Sequence, residues 1–77
     1  MAIPRKDALK RLQSLTVQVE LHLDKIARNP GDRSVPHYQG EVRNWLRDMR
    51  AVLRHLGRRT AAQWQARIDA YRAALGD

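Results

Sequence analysis

The 77-residue chain has no cysteine. That excludes disulfides and thiolate metal sites and suits a reducing compartment. No apolar run approaches the roughly 18 residues that cross a membrane. The opening "MAIPRKDALKRL" carries charge but no apolar h-region, so it does not read as a secretory signal. Glycine and proline are missing between Arg5 and Arg28, so nothing there interrupts a long helix. Carboxylates are scarce: eight acids face fifteen cations, a net charge of +7. The expectation is one small cytoplasmic domain over residues 1–77. A chain of this length buries only about 60% of its unfolded surface. With no disulfide to help, a second chain is one way to add stability.

What is present in excess is arginine, twelve of the fifteen cations. A GC-rich genome would favour arginine and the ten alanines alike. It would explain the choice of arginine over lysine, but not where the charge sits. An anionic partner is the other reading of such a balance.

Turn formers divide the chain. Pro4 suits the first position of a helix. The stretch "NPGDRSVP" gathers breakers and turn residues into the one obvious loop. Ser34 is the expected N-cap of a second helix. Gly57 suits the C′ position that ends it. "TAAQ", Thr60 to Gln63, fits a capping box that opens a third helix. In the second segment Val42, Leu46, Met49, Leu53 and Leu56 recur at helical spacing, as do Ala61, Trp64, Ile68, Tyr71 and Leu75 in the third.

The first segment sends two signals. "LTVQVELHL", residues 15–23, alternates apolar and polar like a half-buried strand. Yet Leu9, Leu12, Thr16, Val19, Leu23 and Ile26 also repeat at three and four, with Ala8 and Leu15 widening the stripe. The helical pattern covers the whole segment, the strand pattern only its middle. A lone strand would pair only across a dimer, as in ribbon-helix-helix proteins, and those carry it at the N-terminus. Helix is therefore expected. The fold class is all-α, a small antiparallel three-helix bundle with helices at roughly 4–28, 35–56 and 60–75. Helix-turn-helix is the competing arrangement. Its reading helix, taken from Thr60 to Asp77, would carry two cations and two acids.

On the first helix Val17 and Leu21 fall opposite the core stripe. They are either scattered surface apolars or a contact face for a second copy or another protein.

Antiparallel pairing of the first two helices brings Arg5, Lys6, Lys10 and Arg11 to the end where Arg54, Arg58 and Arg59 lie. Asp7 is the only acid among them. A double arginine beside the free N–H groups of a helix start suits phosphate or carboxylate. Arg43, Arg47, Arg50 and Arg54 form a stripe along the second helix, able to track a phosphate backbone, meet an acidic surface, or simply cover the core edge.

Signs of catalysis are thin. His37, Glu41, Asn44, Asp48 and His55 share a face of the second helix. His37 and Glu41 stand one turn apart, but no HExxH pair, Ser/His/Asp set or glycine-rich phosphate loop occurs. His22 reads as a boundary residue. Trp45, Trp64 and Tyr71 read as core or near-core aromatics, whereas Tyr38 reads equally well as core or surface. No enzyme, cofactor, metal or small-molecule substrate is expected. The leading expectation is a binding or regulatory protein that engages nucleic acid through the basic pole and the arginine stripe. The second is a helical protein-interaction module, of the size of small inhibitors, antitoxins and phage regulators. It would act through Val17 and Leu21, with arginines meeting an acidic protein surface.

Overall fold

The computed structural model describes residues 3–76. Its three helices are α1 (Arg5–Arg28), α2 (Val35–Val52) and α3 (Arg58–Leu75), with a single 3₁₀ turn at Leu53–His55. Residues 15–23 are helical throughout, and the described residues contain no strand. The three-four repeat outweighs the alternation because it continues over the full 24 residues of α1, about 36 Å of helix at 1.5 Å per residue.

The helix ends follow from local chemistry. Pro4 lies one residue ahead of α1, and its carbonyl accepts from the Ala8 amide at 3.0 Å. At the other end Lys25 and Arg28 complement the negative end of the dipole, and Arg28 pairs with Asp24 at 2.9 Å. Ser34 occupies the N-cap position of α2, but its hydroxyl does not cap. Instead Asp32 Oδ1 accepts from the Ser34 amide at 2.7 Å, an Asx-type turn that uses the stronger acceptor.

The α2–α3 corner departs from the sequence-based expectation. Gly57 is not a left-handed C′ residue. Its φ of −64° and ψ of 158° are extended, and its carbonyl accepts from Ala61, which makes it the N-cap of α3. The helix therefore opens at Arg58, and the Thr60–Gln63 capping box does not form. Thr60 sits inside the first turn, where its hydroxyl is taken by Arg5. This corrects the charge count as well. As folded, α3 carries Arg58, Arg59, Arg67 and Arg72 against Asp69, so it is basic rather than neutral. Asp77, counted with the third segment above, lies outside the described residues. Gly76 closes α3 at φ 90°, the left-handed cap that glycine adopts without steric cost.

Two contacts fix the direction of α3. Arg5 reaches Thr60 near the start of both helices, and Glu20 meets Tyr71 farther along both. α3 thus runs beside α1 in the same sense, with α2 antiparallel to them. The overall extents of 41 × 19 × 15 Å match helices laid lengthwise. They do not match the near-perpendicular pair of a helix-turn-helix.

The core is Ala8, Leu12 and Val19 of α1, Val42, Leu46, Met49 and Val52 of α2, Leu53 of the 3₁₀ turn, and Ile68 and Leu75 of α3. Leu9, Leu15, Leu23 and Ile26 of the α1 stripe are only half-buried, as are Leu56, Ala61, Trp64 and Tyr71. Thr16 is the one buried polar residue among those described, and its hydroxyl donates to the Leu12 carbonyl at 2.8 Å. That back-bond removes the cost of an unsatisfied buried hydroxyl. α1 and α2 share the long seam, while α3 is held by fewer contacts.

Candidate anion-binding interface

The 3₁₀ turn lies against both α1 and α3, and Arg5 donates to Thr60 Oγ1 at 3.4 Å. The end of α2 and the starts of α1 and α3 therefore meet at one pole. Arg5, Lys6, Lys10, Arg11, Arg54, Arg58 and Arg59 are all exposed there. Lys6, Lys10, Arg11, Arg58 and Arg59 make no hydrogen bond or ion pair among the described residues. Arg54 turns toward His55 Nε2 at 3.4 Å.

These cations share an end, not a face. Ala8 is buried, and Lys6 and Lys10, each two residues away, fall on the outer side of α1 at about 100° per residue. Arg58 and Arg59 stand in the first turn of α3 rather than ahead of it, and that turn contains no acid. Each opposes the helix dipole by ~0.3–1 kcal/mol at an exposed site. An anion arriving at this end reverses the sign of that interaction.

The arginine stripe of α2 takes a more definite shape. Arg43, Arg47, Arg50 and, from α3, Arg72 line a groove of about 280 Å³ with Leu46 on its floor. No acid lines it among the described residues. Arg47 also donates to Asn44 at 3.3 Å. Sequence reading missed Arg72. The usable signal was its place four residues after Ile68 and three before Leu75, the two buried positions of α3, which sets it at the edge of the packed face.

Two polar clusters join the helices: the His37–Glu41 pair on α2 was legible from its spacing, whereas the addition of His22 and the whole second cluster were not. His22 has a side chain only 13% exposed and lies 3.7 Å from Glu41, while His37 on the same carboxylate is 2.6 Å away. The His22 ring meets Tyr38 and Trp45 edge-on, at centroid distances of 5.3 and 4.7 Å. Its Nδ1 lies 3.1 Å from the Gln18 carbonyl, an acceptor, so that nitrogen donates. This cluster ties α1 to α2, and the described residues hold no metal-binding group of three or more ligands.

The second cluster ties α1 to α3. Tyr71 donates to Glu20 Oε2 at 2.6 Å and accepts from Arg67 at 3.0 Å. Arg67 lies over the Trp64 ring at 4.7 Å and 3.8 Å from Glu20. Burial, then the hydrogen bond to Glu20, raises the Tyr71 phenol above its ordinary value. The fold therefore favours the neutral phenol. This contribution to stability is complete below the ordinary value near 10 and is lost as pH rises through the raised one. An ultraviolet titration should show a late tyrosine component that Tyr71→Phe removes. Its persistence in that variant would contradict the clamp.

Val17 and Leu21 are the exposed large hydrophobics of the described residues, 55% and 51% accessible. They lie outside both clusters. No helix among the described residues is long and apolar enough to cross a membrane. The chain matches no family model, no curated protein and no solved structure.

Proposed function

We propose that the protein is a non-enzymatic nucleic-acid-binding protein, contacting the phosphate backbone through its basic pole and arginine stripe. The observation that carries this is the convergence at the pole. The Arg5–Thr60 contact joins two basic helix starts, and exposed cations without carboxylate partners surround it. Such cations contribute little to folding when left solvated but release counterions when they meet phosphates. Backbone contacts position a protein without reading bases, so sequence preference is expected to be slight.

The test is a titration of labelled duplex and single-stranded oligonucleotides at low salt, paired with capture from the native host with and without nuclease. Binding that nuclease abolishes supports the reading. No binding of either probe at low salt would sink it.

A second reading is favoured by the exposure of Val17 and Leu21. As a contact face they would serve a homodimer or a protein partner presenting acids to the arginines. Leu21→Glu should then weaken self-association, read by light scattering at rising concentration, and leave helicity nearly unchanged because Leu21 is outside the core. A wild-type protein that stays monomeric at high concentration and binds no protein partner removes this reading.

A further inference from the structure

We infer that the α2–α3 groove is the seat of a single nucleic-acid strand, which runs along it toward the basic pole. The inference rests on the nucleic-acid reading above and names the form of ligand that this surface takes.

The groove has two charged walls. Arg43, Arg47 and Arg50 stand on α2, Arg72 faces them from α3, and Leu46 forms the floor. Arg50 and Arg72 make no hydrogen bond or ion pair among the described residues, and Arg72 is half-buried. Arg50 and Arg72 therefore bring two cations to the groove without a counter-charge among the described residues. A polyanion supplies it.

The shape selects the strand. Helices pack with axes about 8–10 Å apart, so the surface between them is concave and narrow. A duplex is read by a convex element that enters its grooves. A positively charged groove that follows one backbone is how single strands are held. The aliphatic stems of the arginines offer an apolar surface for sugars, and guanidinium planes stack on unpaired bases.

The groove also has direction. Arg43 and Arg54 are eleven residues apart on the same stripe, about 16.5 Å along the axis. Arg58 and Arg72 are fourteen residues apart on α3, about 40° from each other in projection. The α2 row continues from the groove to the pole, where Arg54 lies in the 3₁₀ turn, whereas the face of α3 between Arg72 and Arg58 carries Gln65 and Asp69. A strand lying in the groove meets the pole along the α2 row.

The experiment compares a 12-nucleotide single strand with a 12-base-pair duplex by fluorescence anisotropy, at two or more salt concentrations. Arg50→Glu/Arg72→Glu is expected to weaken the single strand at least tenfold and the duplex less than threefold. Arg50→Gln/Arg72→Gln, which removes charge without reversing it, should keep the same order and guards against loss of fold, checked by circular dichroism. For the Gln variant the salt slope for the single strand should flatten by about 1.4, two phosphates at about 0.7 each. Arg28→Glu/Arg33→Glu, at the opposite end, matches the change in net charge of the Glu variant and should discriminate less between the probes. Equal losses on both probes, or no loss on either, would overturn the groove assignment and leave nucleic-acid binding standing. Failure of the wild type to bind either probe overturns both.

Discussion

Reversing Arg58 and Arg59 to glutamate will abolish binding of nucleic acid at moderate salt and leave the fold intact. Both side chains are exposed on the first turn of α3, and neither makes a hydrogen bond or ion pair among the described residues. Exposed charge changes usually alter stability by less than about 0.5 kcal/mol. The new carboxylates also sit favourably at a helix start, worth ~0.3–1 kcal/mol each. The variant should therefore fold at least as well as the wild type while it repels phosphate. In the wild type, about four phosphates neutralised would give a log–log salt slope near −3.6 for duplex DNA, and a shallower one for a single strand. Oligonucleotide titrations across salt check both statements. Undiminished binding by the reversal variant would move the interface away from the pole, and a salt-independent affinity would contradict a phosphate-backbone mode.

Ile68→Ala should be the most damaging single truncation on α3, at a cost of about 2–5 kcal/mol. Ile68 is fully buried, and the other buried residue of α3 is Leu75, the last of the helix. The rest of the helix is attached by half-buried Ala61, Trp64 and Tyr71 and by the exposed polar clamp to Glu20. Small domains have stabilities toward the low end of about 5–15 kcal/mol, so the loss is a large share of the whole. Urea unfolding should show a clearly lower midpoint, and hydrogen exchange should show α3 losing protection before the α1–α2 seam. A cost below about 1 kcal/mol would mean that α3 is held by something other than this core.

The helices were legible because burial on one face leaves a three-four repeat in the sequence. Val42, Leu46, Met49 and Leu53 were readable in this way, and so were Leu12, Thr16 and Val19. The exposure of Val17 and Leu21 followed from the same geometry. The α2–α3 corner was not legible. The pattern Thr60–Gln63 satisfies a capping rule, yet the extended backbone at Leu56 and Gly57 starts the helix two residues earlier. Capping preference is worth ~1 kcal/mol, which tertiary packing of Leu53 and Leu56 can outweigh. The pole was partly legible: its members could be named from antiparallel pairing, but not their spread around the end. Arg72 and the Glu20–Arg67–Tyr71 clamp were out of reach because they depend on which side of α1 and α2 receives α3. No single-helix pattern carries that information.

Amide chemical-shift mapping tests the location of the nucleic-acid interface most directly. A labelled protein titrated with a short single-stranded oligonucleotide at low salt should show its largest shifts at residues 43–60, along the α2 stripe, the 3₁₀ turn and the start of α3. Arg72 and the first turns of α1 should follow. Shifts confined to the outer face around Val17 and Leu21, or no shifts at any ratio, would contradict the account.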